Sequence, residues 1–131
     1  MKILVVEDEK SKRECIVKFL KARNIEMHLA YSVRPALRYV IQNPNEISGI
    51  ILDMGLTSTD DSLDYDWIRG WDLVERLNFD KINIPILINS STDVQIEKRK
   101  EDYRNLHSQM YEEDDYETLG EFIAFLETRE Q

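Results

Sequence analysis

The sequence predicts an α/β protein, a doubly wound parallel sheet with helices on both faces. Three observations predict it. Short apolar runs alternate with segments of helical periodicity along most of the chain, the pattern of a sheet covered by crossover helices. The run Gly49-Ile50-Ile51-Leu52 is apolar throughout and then meets a single aspartate, Asp53, as a buried strand does where it leaves the sheet. The 131 residues suit one domain with a substantial core and leave no room for a second.

The first strand is Ile3-Leu4-Val5-Val6, and a helix follows from about Lys10 to Arg23 with Ile16, Phe19, Leu20 and Arg23 along one side. Cys15 falls on its interior side as a small core residue. Ile25 to Ala30 is the second strand. Pro35 suits a first helical turn, and Ala36, Leu37, Val40 and Ile41 form an inward stripe until NPNE ends the helix. Ile50-Ile51-Leu52 is the third strand.

The sixteen residues Met54 to Arg69 break this regularity, being polar and acidic with Asp60, Asp61, Asp64 and Asp66. A loop of that length in a compact domain usually serves function or motion. Gly70 precedes a third helix carrying Leu73, Val74 and Leu77. INIPILINSS supplies the fourth strand, with Pro85 at its start, where a missing N–H costs least. Asp93 to Arg104 reads as a solvated helix and LHSQMY as a fifth strand that alternates poorly. Leu119, Phe122, Ile123 and Leu126 make the last helix, although Gly120 within it costs about 1 kcal/mol relative to alanine. The whole chain, 1–131, is thus read as one domain with an extended acidic loop at about 54–69.

Composition excludes several functions. With 26 acidic and 17 basic residues and a net charge of −9, the surface is unsuited to direct nucleic-acid binding. Cys15 is the only cysteine, so there is neither an internal disulfide nor a thiolate metal cage, in keeping with a reducing compartment. MKILVVEDEK turns acidic after four apolar residues and is no signal peptide. No apolar run is long enough to cross a bilayer. A cytoplasmic protein without a membrane partner is expected.

The chemistry lies at the strand ends. Open parallel sheets bind ligands outside the carboxyl ends of their strands, near the point where strand order reverses. The first strand exits into Glu7-Asp8-Glu9, the third into Asp53 and the fourth into Ser90-Ser91. Crowded carboxylates repel, and a hard divalent cation with oxygen ligands, most often Mg²⁺, relieves them. Such a cluster suits phosphoryl chemistry, with an aspartate as the nucleophile and a neighbouring hydroxyl bonded to a phosphoryl oxygen.

Each residue alone has a plainer role. Glu7 to Glu9 suit a helix start, Asp53 a strand end, and Ser91 or Thr92 a helix cap. The coincidence of three exits favours a site. His28 and His107 stand isolated, Trp67 or Trp71 pins the long loop to the third helix, and Glu112 to Asp115 suits a solvated helix start.

The segments KILVVEDE, GIILDM, GWDLVERL and IPILINSS, in that order and over most of the chain, resemble a response-regulator receiver domain of two-component signalling. The resemblance implies a five-stranded, flavodoxin-like fold and a cofactor, Mg²⁺. It implies Asp53 as phosphoacceptor, Asp8 as a direct metal ligand, Glu7 as its acidic helper, the Gly55 backbone carbonyl as a further ligand, Ser90 as the switch hydroxyl, and Gly70 as the glycine that opens the third helix.

The chain also departs from the family pattern. Receivers carry a lysine and then a proline at the end of the fifth strand, and here no lysine follows Lys100; the alignment puts Gln109 and Met110 at those positions. Leu106 falls at the aromatic switch position, with Tyr103 and Tyr111 nearby. The loop after Asp53 is roughly twice the usual length for the family.

The function expected is a stand-alone phosphoacceptor receiver. It takes a phosphoryl group from a histidine kinase or phosphotransfer protein and signals through a separate output protein or as a homodimer. It is not an enzyme beyond self-catalysed phosphotransfer and autodephosphorylation. The alternative is a pseudo-receiver that binds a partner without switching by phosphorylation. An aspartyl phosphatase of the haloacid-dehalogenase type would need a second aspartate two residues after the first, where Gly55 stands.

Overall fold

The computed structural model describes residues 1–53, 70–90, 106–110 and 116–130. The elements in chain order are β1 (Lys2–Val6), α1 (Lys10–Ala22), β2 (Glu26–Ala30), α2 (Val33–Gln42), β3 (Gly49–Leu52), α3 (Gly70–Phe79), β4 (Ile86–Ser90), β5 (Leu106–Met110) and α4 (Glu117–Arg129). The acidic loop with Gly55 and Trp67, the helix expected over Asp93 to Arg104, and the residues Ser91, Thr92, Tyr103, Tyr111 and Glu112 to Asp115 lie outside the described residues.

All five strands are parallel, in the order β2-β1-β3-β4-β5. The chain steps from β1 outward to β2 and returns to the other side of β1 for β3. Strand order therefore reverses between β1 and β3, which opens a crevice between their carboxyl ends. The fifth strand, weak in its own alternation, is held by pairing with β4, Ile86 beside Leu106 and Asn89 beside Gln109.

The pleat sends alternate residues of each strand to two separate cores. Leu4, Val6, Ile50, Leu52, Ile86 and Ile88 pack with Ala36 and Val40 of α2 and with Leu73, Val74 and Leu77 of α3. Ile3, Val5, Ile51 and Leu87 pack with Ile16 and Leu20 of α1 and with Leu119, Phe122, Ile123 and Leu126 of α4. Central strands covered on both faces read as unbroken apolar runs for this reason, and every residue of β3 is buried. At Gly49 the approach of α4 is close: a Cβ there would stand 2.6 Å from Leu126 Cδ1 and 3.2 Å from Phe122 Cζ.

Two helix-face expectations need correction. Ile41, expected in the inward stripe of α2, is 49% exposed. The buried positions are Val33, Ala36 and Val40, a set spaced three and four apart, and Ile41 lies about 100° beyond Val40 around the helix. Cys15 is only partly buried, because α1 docks through Lys12, Ile16 and Leu20. Arg23, at the end of that helix, is exposed, with its guanidinium 4.4 Å from the ring centre of Phe19. His28 is not isolated: it stacks on Tyr39 at 3.7 Å between ring centroids. Trp71 packs against the α2/α3 core.

Candidate functional site

The backbone at the switch point is fixed by hydrogen bonds that run one residue past each strand. The Glu7 N–H donates to Ala30 O at 3.1 Å, and the Asp53 N–H donates to Val6 O at 3.0 Å. The sheet thus positions both acids as firmly as its own residues. The turn after them is held by Arg13, whose Nη1 donates to Glu7 O at 3.3 Å and Asp8 O at 3.4 Å.

This frame brings three of the residues expected at the site together. Glu7, Asp8 and Asp53 each offer a carboxylate oxygen, and these oxygens lie within 4.8 Å of one another. Glu7 is 1% exposed and Asp53 6%, whereas Asp8 is partly open to solvent. Ser90 ends β4, two residues beyond Ile88, which pairs with Leu52 next to Asp53. Gln109 sits in β5 at the register position beside Asn89. Gly55 is outside the described residues.

The electrostatics follow from burial. The Glu7 carboxyl is pushed up from its ordinary 4.5 to about 9, first by desolvation and then by its contact with the Asp53 carboxyl, against the pull of Lys12 and the Glu9 N–H. That N–H donates to Glu7 Oε2 at 3.3 Å, while Glu7 Oε1 has no hydrogen-bond donor among the described residues. Two ionised carboxylates side by side accept and cannot donate, so a cation or a shared proton must lie between them. A buried, donor-less carboxylate oxygen within reach of two other carboxylates is an all-oxygen donor set, and it fits a hard divalent ion such as Mg²⁺.

Sequence reasoning missed two residues. Lys12 is 6% exposed, with its Nζ 3.9 Å from Glu7 Oε1. Its spacing of four and eight residues from Ile16 and Leu20 was the available signal, since that places it on the stripe of α1 that meets the sheet. Asn89 is 1% exposed, and neither Oδ1 nor Nδ2 has a hydrogen-bond partner among the described residues. It interrupts the apolar run of β4 on the face it shares with Leu87, directly after Ile88, which pairs with Leu52. The signal there was a polar residue inside INIPILINSS.

A doubly wound parallel sheet with a carboxylate cluster at its switch point defines the class: an α/β domain with an acidic pocket at the carboxyl edge of the sheet. Within that class the chain has the receiver-domain fold of response regulators. A two-component response regulator from Clostridium difficile is similar over 100% of this chain and 98% of its own, at 18% identity and a TM-score of 0.77. The receiver domain of a Francisella response regulator matches over 99% and 98%, at 22% identity and a TM-score of 0.72. The Thermotoga maritima response regulator TrrA, in complex with Mg²⁺-BeF, matches over 95% of this chain and 97% of its own, at 19% identity and a TM-score of 0.72. No protein-family model and no curated protein sequence matches the chain. None of the described helices is long and apolar enough to cross a membrane.

Proposed function

We propose that this protein is a phosphoacceptor receiver of a two-component phosphorelay, with Asp53 as the acceptor. The observation that carries this reading is the convergence of Glu7, Asp8 and Asp53 within 4.8 Å at the point where strand order reverses. A cluster of acids on a solvated face needs no such burial, and ionised Glu7 at 1% exposure is costly to keep with only the Lys12 ammonium at 3.9 Å beside it.

Glu7, Asp8 and Asp53 would hold Mg²⁺, joined by the backbone carbonyl of Gly55. When bound, the ion supplies charge neutralisation for the phosphoryl oxygens and for the acids themselves. An oxygen of the Asp53 carboxylate attacks phosphorus in line; the P–N bond of a donor phosphohistidine breaks, and the imidazole leaves with the electron pair and takes a proton. The strand ends hold Asp53 in place for this attack, so its positioning needs no rearrangement of the backbone. The Ser90 hydroxyl donates to a phosphoryl oxygen and carries the change of state into the chain beyond β4. The donor is a histidine kinase or phosphotransfer protein in the cytoplasm, and the readout is altered binding of a separate output protein or of a second copy of this chain. The protein catalyses no reaction on a released substrate.

A second reading, a pseudo-receiver that binds its partner without phosphorylation, is favoured by one observation: no lysine follows Lys100. Intact mass spectrometry after incubation with Mg²⁺ and acetyl phosphate separates the two. One added phosphoryl group on the parent and none on Asp53→Asn supports the acceptor; no addition to the folded, Mg²⁺-binding parent supports the pseudo-receiver.

A further inference from the structure

A phosphoryl group on Asp53 replaces that carboxylate's single charge with about two, beside the carboxyls of Glu7 and Asp8. A divalent ion offsets only part of that. Where the remaining positive charge comes from is a question of which cations reach the cluster.

Lys12 reaches it. Its Nζ lies 3.9 Å from Glu7 Oε1, and the two side chains are 8% and 1% exposed. Glu7 in turn contacts the carboxyl of Asp53, so the ammonium stands one carboxyl group away from the acceptor. The neighbouring cation, Arg13, is committed elsewhere, donating to the carbonyls of Glu7 and Asp8 with its guanidinium 4.3 Å from the ring centre of Tyr31.

The position of Lys12 on its helix argues that the charge serves the site and not the packing. The buried residues of α1 are Lys12, Ile16 and Leu20, one inward stripe at intervals of four. An apolar side chain at the first position would continue that stripe and avoid the desolvation of an ammonium. The 3.9 Å separation is longer than a charge-assisted hydrogen bond, so the Glu7 contact is an ion pair at a distance and not a fixed hydrogen bond. Four rotatable bonds let it swing toward a new anion without moving the helix.

We propose that Lys12 is the cationic phosphoryl contact of this site: its ammonium turns from Glu7 to donate a hydrogen bond to an oxygen of the group on Asp53. The role is thereby supplied from α1, in a chain that has no lysine beyond residue 100. The inference rests on Asp53 being the acceptor. It also predicts that the same ammonium opposes the bare metal ion, because both cations are drawn to Glu7.

The test uses the full chain with Lys12→Met and, as a second variant that keeps a polar tip, Lys12→Gln. Binding of Mg²⁺ alone and of beryllofluoride in the presence of Mg²⁺ are each titrated, with the fold checked by circular dichroism. Loss of one charge-assisted hydrogen bond weakens beryllofluoride binding by about ten- to hundred-fold, while Mg²⁺ binding stays equal or becomes tighter. A loss confined to beryllofluoride is not what a packing defect produces. Beryllofluoride binding unchanged in both variants, beside a parent that binds it, overturns the role of Lys12 alone, as does an equal weakening of both ligands. A parent that binds Mg²⁺ but takes neither beryllofluoride nor phosphoryl overturns the acceptor reading and this inference with it.

Discussion

The carboxyl of Glu7 meets the carboxyl of Asp53 where β1 and β3 leave the sheet, and the contact, together with burial, pushes Glu7 from 4.5 to about 9. A carboxyl raised in the folded state keeps a proton there that the unfolded chain has released. Folding stability therefore declines as pH rises from about 4.5 toward 9, and levels off above that. In EDTA the melting temperature should fall across pH 5 to 9. Glu7→Gln, which can donate to Asp53 without a titrating proton, should flatten the profile, and Mg²⁺ at neutral pH should release a proton and raise the melting temperature. Thermal melts in matched buffers check the first two, and calorimetry in buffers of different ionisation enthalpy checks the third. A parent profile as flat as the variant's would show that the two acids do not share a proton.

Asn89 predicts the opposite of the usual core substitution. Both polar atoms of its side chain lack a hydrogen-bond partner among the described residues, at 1% exposure, and a buried unsatisfied amide costs about 1–3 kcal/mol. Asn89→Leu, close in volume, should raise the denaturant midpoint by an amount equivalent to about 1 kcal/mol. A lower midpoint would mean that the amide is bonded in solution and belongs to the working site.

The two glycines that face α4 and α1 should respond with opposite signs. Gly49→Ala places a methyl 2.6 Å from Leu126 Cδ1 in a packed core, and overpacking of that kind costs about 1–3 kcal/mol. Gly120→Ala meets, among the described residues, only Arg23 Nη2, at 3.6 Å, in a helix where alanine is favoured over glycine by about 1 kcal/mol. Chemical denaturation of the two variants should show a loss for the first and a gain for the second. Equal changes would show that α4 sits farther from β3 than the 2.6 Å approach requires.

The strands and the acidic cluster at their ends could be read from local order alone. Ile3 to Val6 and Ile50 to Leu52 are apolar on both faces, and only a strand covered on both sides has a use for such a run. The acids that follow them stand at strand exits, and a parallel sheet gathers its exits at one edge, which is why the grouping of Glu7, Asp8 and Asp53 is legible in the sequence. Helix faces were less so. The spacing of Ala36, Val40 and Ile41 allows two stripes, and the turn of α2 against the sheet chose the one that leaves Ile41 in solvent.

What the sequence determined by itself, then, was the alternation of strand and helix and the chemistry of the strand ends, because both are written in periods of two and 3.6 residues. Only the tertiary structure decided that a lysine on α1 and an asparagine on β4 are buried beside that chemistry. Lys12 and Glu7 are five residues apart in sequence, but their pairing exists only because α1 folds back onto the sheet through Ile16 and Leu20. Burial of a charge is a property of that docking, and a local pattern carries no record of it.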